Sequence, residues 1–272
     1  MAYQLLDGKA TSKAIKEELA GKVEEIKTEN GKVPHLAAVL VGEDGASVTY
    51  VNAKVKACEL IGFGSTLIHL PETATEEEVL GTVGKLNNDP EIDGFIVQVP
   101  LPKHIDEHKV VEAILPEKDV DGFHPANLGK MLLDLPTLLP ATPKGMMLLM
   151  ERNGIDTSGK NCVVIGRSHT VGTPISVLMS RNSNPGNATV TLCQSRTKDL
   201  PSITRQADIL ILDEPTGVLT PAEADQLFRI LGRLRSEGKT IILITHKLRD
   251  IMETTDTVSV MRRGEMLDTV KT

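Results

Sequence analysis

The sequence contains almost no aromatic residues, with no Trp, two Tyr and four Phe in 272 residues. A hydrophobic core must therefore be built from Leu, Ile, Val, Met and Ala, which is typical of α/β proteins. Basic residues are not in excess either, because 30 Lys and Arg stand against 37 Asp and Glu, and this net charge of −7 argues against a nucleic-acid partner. No apolar run approaches the roughly 18 residues of a membrane span, so we expect no membrane partner.

Cysteine is also scarce. Cys58, Cys162 and Cys193 have neither metal-site nor redox spacing, so we expect reduced thiols and no structural metal. The N-terminal stretch MAYQLLDGKA lacks the charged and then apolar pattern of a signal peptide. Together these features predict a cytoplasmic protein.

Strand-like apolar runs alternate with helical patterns throughout the chain, which predicts an α/β fold. The runs Leu36–Gly42 and Gly94–Pro100 belong to a predicted N-terminal α/β domain, 1–142. A second domain, 143–272, has its first strand at Asn161. For this domain we predict a Rossmann-like parallel sheet of strand order 2-1-3-4-5 in a three-layer αβα arrangement, with the last strand of a C-terminal hairpin antiparallel at one edge.

Four polar residues of the first domain are candidates for a shared cleft. Tyr50 and Lys54 are four residues apart on a predicted helix and so share a face. Gln98 lies at the carboxyl end of a strand, where α/β proteins bind ligands, and Asp121 lies in the loop KDVDG. Such a cleft could support acid–base chemistry. Alternatively, the Tyr/Lys pair belongs to a solvated helix face.

Four segments resemble the bifunctional methylenetetrahydrofolate dehydrogenase/cyclohydrolase family: SVTYVNAKVKACELIG, GFIVQVPLP, PEKDVDGFHPANLG and PATPKG. The resemblance runs from the start of the chain to about Asp208. It implies a tetrahydrofolate derivative as substrate, with Lys54 as the main catalytic group, Tyr50 as its partner and Gln98 hydrogen-bonded to Lys54. Asp121 would hold the pterin ring. The family also implies a homodimer formed through the nucleotide domain.

A glycine-rich turn, Gly166–Gly172, follows a predicted strand and opens a helix. It is neither a GxGxxG fingerprint nor a P-loop, and such a turn is often only a tight connection. Its free N–H groups and the positive helix end can nevertheless hold a phosphate, and Arg167 with Ser168 suits the extra phosphate of NADP. The family resemblance implies that NADP is bound by Gly166, Arg167, Ser168, Gly172, Ser195 and Thr197.

From Ala207 onward the sequence resembles the C-terminal part of an ABC transporter ATPase, from LILDEPTGVLTPAEADQLF to TIILITHK. That resemblance implies that Asp213 holds Mg²⁺ through water, Glu214 is a general base and His246 contacts the terminal phosphate. No P-loop is present to position a nucleotide, so we expect no ATPase activity and treat the three residues as vestigial. The chain is thus interpreted as a chimera, engineered or recombined, of a folate-family part from 1 to about 208 and an ATPase part from about 207 to 272. Its second domain is then a hybrid of a dehydrogenase-type part, 143–206, and an ATPase-type part, 207–272.

Three functions follow from this interpretation. The first is a chimera that keeps folate cyclohydrolase chemistry but has weak or no NADP-dependent dehydrogenase activity and weakened or lost NADP binding, because Asp213 and Glu214 would repel the cofactor phosphates and a cleft-lining segment of the family is not found. The second is a catalytically silent protein made to test fold exchange. The third is a module that binds Mg-nucleotide.

Overall fold

The structure is a computed structural model and describes residues 6–216, 220–245, 257–262 and 265–271. The chain divides into two compact units. The N-terminal unit is Asp7–Ala141, and the C-terminal unit contains Leu6 and the described residues from Thr142 onward.

The N-terminal unit alternates helices and strands. Its elements are α1 (Gly8–Thr28), β1 (His35–Val41), α2 (Gly45–Ile61), β2 (Gly64–Leu70), α3 (Glu76–Asn88), β3 (Gly94–Val97), α4 (Glu107–Ala113) and α5 (Pro125–Leu132). The last helix before the second sheet is α6 (Ala141–Arg152). The short helix α4 has no counterpart in the sequence prediction, because its apolar pattern spans only two turns.

The three strands of the N-terminal unit form a parallel sheet of order β2-β1-β3. The central strand β1 is buried on both faces, since Ala37 and Val39 contribute to one core cluster and Ala38 and Leu40 to another. The first cluster includes the apolar face of α3, and the second includes Val51 of α2. A strand covered on both sides is hydrophobic at every position, which explains the continuous apolar run in the sequence.

The C-terminal unit contains a second alternating series. Its elements are β4 (Asn161–Ile165), α7 (Gly172–Ser180), β5 (Thr189–Cys193), α8 (Leu200–Arg205), β6 (Ile209–Asp213), α9 (Pro221–Ser236), β7 (Thr240–Ile244), β8 (Thr257–Arg262) and β9 (Glu265–Lys271). Thr220 caps α9, because its hydroxyl accepts a hydrogen bond from the Glu223 N–H while the Glu223 carboxylate accepts one from the Thr220 N–H.

Four parallel strands of this unit form one sheet of order β5-β4-β6-β7. The prediction of two α/β units with parallel sheets is confirmed, including the order of the first four strands. The predicted edge position of the C-terminal hairpin is wrong, because β8 and β9 pair antiparallel in a separate two-stranded sheet. The sequence also predicts a helix at 247–254, and these residues lie outside the described part of the chain. Among the described residues, no helix is long and apolar enough to cross a membrane.

The strand β6 lies inside this sheet, hydrogen-bonded to β4 on one side and to β7 on the other. Its residues Leu210 and Leu212 pack with Phe228 and Leu231 of α9 in one core cluster. The segment around residue 207 therefore lies inside one continuous hydrophobic core.

Candidate functional site

The helix α2 presents the first candidate residues. Its N-terminus is fixed by Asp44, whose carboxylate accepts a hydrogen bond from the Ser47 N–H at 2.9 Å. Tyr50 and Lys54 follow on one face of the helix, one turn apart. The Tyr50 side chain is 54% exposed, whereas Lys54 is only partly accessible, so the lysine is the more enclosed of the two.

Gln98 lies directly after β3 and continues the ladder, because its N–H donates to the Val39 carbonyl at 2.8 Å. Its side-chain amide donates to the Val99 carbonyl at 2.7 Å. This bond leaves the amide oxygen facing Lys54, with 3.5 Å between Lys54 Nζ and Gln98 Oε1. The strand end thus supplies a hydrogen-bond acceptor for the ammonium group.

Asp121 reaches the same ammonium group from the loop before α5. Asp121 Oδ1 lies 3.7 Å from Lys54 Nζ. Burial raises the pKa of the Asp121 carboxyl above its ordinary value, and Asp119 raises it further, while the charge and hydrogen bond of Lys54 act in the opposite direction. A lysine held between an amide oxygen and a carboxylate can donate and accept protons at a fixed place. The structure therefore brings Lys54, Gln98 and Asp121 together, with Tyr50 on the same face of α2.

A buried polar network next to this cleft was missed in the sequence. Asp119 and Asn127 are each only 2% exposed. The Asp119 carboxylate accepts hydrogen bonds from Gly122 N, His124 N and Asn127 Nδ2 at 3.1, 2.7 and 2.9 Å. The first aspartate of KDVDG and the asparagine of HPANLG were the available signals, but a buried role cannot be distinguished from a solvated one without the tertiary contacts.

The second candidate site is the loop between β4 and α7. Gly166 has φ +117°, a conformation that favours glycine. A Cβ at Gly172 would collide with the Gly166 carbonyl, so the backbones of the two glycines are in direct contact. Ser168 fixes its interior, since its hydroxyl oxygen accepts hydrogen bonds from Val171 N at 2.9 Å and Gly172 N at 3.1 Å. The Ser168 hydroxyl donates to Asp213 Oδ2 at 2.6 Å. The loop is thus tied to the end of β6.

The turn after β5 lies at the same edge of the sheet as the loop after β4, because β4 and β5 are parallel neighbours. Thr197 Oγ1 accepts a hydrogen bond from Gln194 N at 2.8 Å, and Ser195 is exposed. Arg167 in the loop after β4 is also exposed. The close glycine backbones and an exposed guanidinium and hydroxyl at one sheet edge fit the phosphates of a dinucleotide, which bind where backbone N–H groups and positive charge are accessible. Among the described residues, no cluster of side chains could hold a metal ion.

Known proteins match both units. The family model of the tetrahydrofolate dehydrogenase/cyclohydrolase catalytic domain matches residues 6–121, and the model of the NAD(P)-binding domain of that family matches 140–219. The bifunctional protein FolD of Cytophaga hutchinsonii is 70% identical over 209 residues, which cover 77% of this chain and 72% of that relative. The chain belongs to the tetrahydrofolate dehydrogenase/cyclohydrolase family.

Further relatives agree with this assignment. The bifunctional protein FolD of Flavobacterium johnsoniae is 62% identical over 239 residues, which cover 88% of the chain and 78% of that relative. Among solved structures, the bifunctional enzyme FolD of Campylobacter jejuni has a TM-score of 0.74 at 46% identity, covering 78% of this chain and 74% of the other. The Trypanosoma brucei dehydrogenase-cyclohydrolase, solved with NADP and an inhibitor, has a TM-score of 0.72 at 33% identity and covers 78% and 72%.

These matches overturn the interpretation of the chain as a chimera. The NAD(P)-binding family model runs through residue 219, and a match of 239 residues in a chain of 272 extends past Ala207 as well. No ABC ATPase segment is indicated. The physical reason for the error is that an apolar parallel strand ending in an acidic turn, followed by a helix and another apolar strand, is a pattern common to α/β sheets. In this chain that pattern forms β6, α9 and β7, and the two strands are neighbours in one sheet.

The three residues assigned to an ATPase site therefore have another context. Asp213 accepts the hydrogen bond from Ser168, and Glu214 follows it with φ 48° and an N–H that donates to the Ile244 carbonyl at 3.0 Å. His246 lies outside the described residues. The expected loss of dehydrogenase activity and the alternatives of a silent test protein and a Mg-nucleotide module were wrong too, because the family's NAD(P)-binding model covers the Gly166–Gly172 loop and Asp213 alike.

Proposed function

We propose that the chain is a bifunctional enzyme that oxidises methylenetetrahydrofolate with NADP and hydrolyses the resulting methenyltetrahydrofolate. The observation that carries this proposal is the convergence of Lys54, Gln98 and Asp121 in a chain that belongs to the family. In the first reaction the folate methylene carbon loses a hydride and becomes the methenyl cation. In the second, water adds to that carbon, a carbon–nitrogen bond breaks and a proton is released, which leaves formyltetrahydrofolate.

Lys54 is the proposed acid–base group of the hydrolysis. Its ammonium nitrogen can pass a proton to the departing folate nitrogen and recover one from the attacking water. Gln98 orients it, because the Gln98 amide is itself fixed by its bond to the Val99 carbonyl. Asp121 is proposed to hold the pterin ring, whose N–H groups suit a carboxylate acceptor, and the exposed Tyr50 is proposed to line the same site.

The C-terminal unit is proposed to hold NADP, whose nicotinamide ring accepts the hydride when bound. Gly166 and Gly172 let the loop pack closely against Asp213 and against itself, and Ser168 orders it from within. The diphosphate is proposed to bind at this loop, beside the positive N-terminal end of α7. Arg167, Ser195 and Thr197 are proposed to hold the additional phosphate that distinguishes NADP from NAD. Arg167 and Ser195 are exposed beyond the ends of two adjacent strands, β4 and β5, and Thr197 lies in the same turn as Ser195, which supports this assignment.

A homodimer through β5 is also proposed. This strand is an edge of its sheet, and Leu192 on it is 40% exposed, so a second copy could extend the sheet and cover it. Sedimentation equilibrium of the wild type and of Leu192→Lys tests this, with a dimer expected for the wild type and weaker association for the variant. A wild type that is monomeric at every concentration contradicts it.

Separate assays of the two half-reactions test the proposed function. With methylenetetrahydrofolate and NADP, NADPH should form above the uncatalysed rate, and with methenyltetrahydrofolate alone, formyltetrahydrofolate should form above its own uncatalysed rate. A folded protein that is silent in both assays contradicts the proposal. Activity in only one assay would show that the assignment of the other reaction is wrong.

A further inference from the structure

The loop that carries Asp121 is closed by another aspartate. Asp119 Oδ1 accepts a hydrogen bond from Gly122 N, and Asp119 Oδ2 accepts from His124 N and from Asn127 Nδ2. These bonds join three residues that follow Asp121 to a carboxylate that precedes it. Every one of these partners is a donor, which matches the two acceptor oxygens of a carboxylate.

Asp119 is held in turn by the body of the unit. The backbone of Lys118 accepts a hydrogen bond from Phe95 N of β3 at 2.9 Å, and Asp119 forms a parallel bridge with Phe95. Asn127 is fixed from its other side, because its amide also donates to the Pro116 carbonyl and accepts from Thr137. The Asp119 carboxylate therefore fixes the loop from Asp119 to His124 relative to β3.

We propose that Asp119 is a positioning residue of the folate site, whose buried carboxylate closes the loop from Asp119 to His124 and thereby keeps the Asp121 carboxylate beside the Lys54 ammonium. The inference deepens the proposed function, and only its folate readout rests on that function. In the part of the chain that the structure describes, no hydrogen bond or ion pair joins Asp119 to Lys54, so Asp119 acts through the position of Asp121.

The charged groups around Asp121 make this role measurable. Lys54 on α2 lowers the pKa of Asp121, Asp119 on the loop raises it, and the neighbouring Gln98 carries no charge. If the loop is correctly closed, removing the Lys54 charge must raise the pKa of Asp121. If the loop is loosened, the two groups separate and the same substitution has a smaller effect, because the Coulomb energy falls with distance.

The test is an NMR titration of the Asp121 carboxyl carbon in the intact chain, with Asp121→Asn to assign the signal. Lys54→Met is introduced into the wild type and into Asp119→Asn, which is nearly isosteric but replaces one acceptor by a donor. We expect Lys54→Met to raise the pKa of Asp121 in the wild type, and to raise it by less than half as much beside Asp119→Asn. An equal rise in both backgrounds would overturn the inference.

A second variant covers the case in which Asp119→Asn does not fold. Asn127→Ala removes one of the donors to Asp119 but keeps the Asp119 charge, so it loosens the loop without changing the electrostatics directly. The effect of Lys54→Met should again be reduced. The matched control is Asp93→Asn, which removes a carboxylate of the same unit that pairs with Lys32, and it should leave the effect unchanged.

The folate readout separates this inference from the proposed function. Asp119→Asn should lower kcat/KM of the cyclohydrolase about tenfold or more, since misplacing a substrate by about 1 Å can cost about a hundredfold. If the wild type binds no folate, the proposed function fails while the titration still decides the role of Asp119. If the wild type is active and Asp119→Asn matches it in both readouts, the positioning role is wrong.

Discussion

The residues proposed for the folate site come from three separate parts of the sequence, whereas those of the phosphate loop follow one another between Gly166 and Gly172. Lys54, Gln98 and Asp121 meet only because a helix, a strand end and a loop are packed around β1. The phosphate loop instead closes on itself through Ser168 and two glycine backbones. The first site therefore depends on tertiary packing, and the second depends mainly on local backbone geometry.

The largest expected effect comes from removing the Lys54 ammonium group, beside which Gln98 and Asp121 both lie in the folate site. Lys54→Met should reduce the cyclohydrolase rate about a hundredfold or more, because a positioned acid–base group contributes about 10²–10⁴-fold. The measurement is the rate of methenyltetrahydrofolate hydrolysis. Lys85→Met, on the exposed side of α3, is the matched control and should retain the wild-type rate. A comparable loss in both variants would contradict the assignment.

The next effect tests whether the phosphate loop Gly166–Gly172 requires a residue without a side chain at position 172. A Cβ at position 172 would collide with the Gly166 carbonyl and lie 3.0 Å from Arg167 Cα. Gly172→Ala should therefore weaken NADP binding by about tenfold or more, equivalent to ~1.4 kcal/mol, in a calorimetric titration. It should also lower the free energy of unfolding by about 1–3 kcal/mol.

Gly232→Ala is the control for that substitution, because it adds the same methyl group in α9, where no heavy atom beyond the local helix backbone lies within 4 Å of the new Cβ. It should stabilise the protein by about 0.5–1 kcal/mol through helix propensity and leave NADP affinity unchanged. If both alanine variants bind NADP like the wild type, the close approach of Gly166 and Gly172 has no functional role.

Ser168→Ala measures how far the phosphate loop is held by its own side chain. The substitution removes the acceptor for Val171 N and Gly172 N and the donor to Asp213. We expect the free energy of unfolding to fall by about 1–2 kcal/mol, as for the loss of a helix cap, in urea denaturation. Ser176→Ala, which removes only a bond to the Gly172 carbonyl within α7, should change it by less than half as much.

The smallest expected effects contrast a site carboxylate with a structural one. Burial raises the pKa of Asp121, so the folded state binds this proton more tightly than the unfolded state, and stability falls as pH rises from about 3.8 through the folded pKa. Burial would also raise the pKa of Asp93, but hydrogen bonds from Lys32 and the His35 N–H outweigh it and lower the pKa. Asp93 therefore contributes stability above about pH 3.8, which is lost on acidification through its folded pKa.

Denaturant titrations at acidic and neutral pH check both signs. Asp121→Asn should stabilise the protein modestly at neutral pH relative to the wild type, with the difference vanishing in acid. Asp93→Asn should destabilise it modestly at neutral pH, again with no difference in acid. Destabilisation at neutral pH by Asp121→Asn would show that this carboxylate serves the fold.

The two regions also differ in what the sequence alone could predict. The apolar runs Leu36–Gly42 and Gly94–Pro100 predicted strands of a parallel sheet, and the structure has β1 and β3 there. The glycine-rich turn was recognisable because its geometry is contained in adjacent residues. The network of Asp119 and Asn127 was not, since burial of a polar residue depends on partners distant in the chain.

The misassignment after Ala207 has the same origin. The residues from Ala207 to Pro215 are fully consistent with a buried strand and an acidic turn, and that local consistency does not identify a family. Asp213 was expected to belong to a segment derived from an ATPase. In the structure it accepts a hydrogen bond from Ser168, in the loop that follows the adjacent strand β4. The pairing of β6 with β4 and β7 was predicted, so it could not reveal the error, which was corrected by family matches that extend past Ala207.

The most direct test of the proposed bifunctional enzyme follows both products in one reaction. Wild type and Lys54→Met are each given methylenetetrahydrofolate and NADP, and NADPH and formyltetrahydrofolate are measured over time. We expect the wild type to form both products together, and Lys54→Met to form formyltetrahydrofolate about a hundredfold or more slowly once the uncatalysed hydrolysis is subtracted. Formation of formyltetrahydrofolate by Lys54→Met at the wild-type rate, or no NADPH from the wild type, would contradict it.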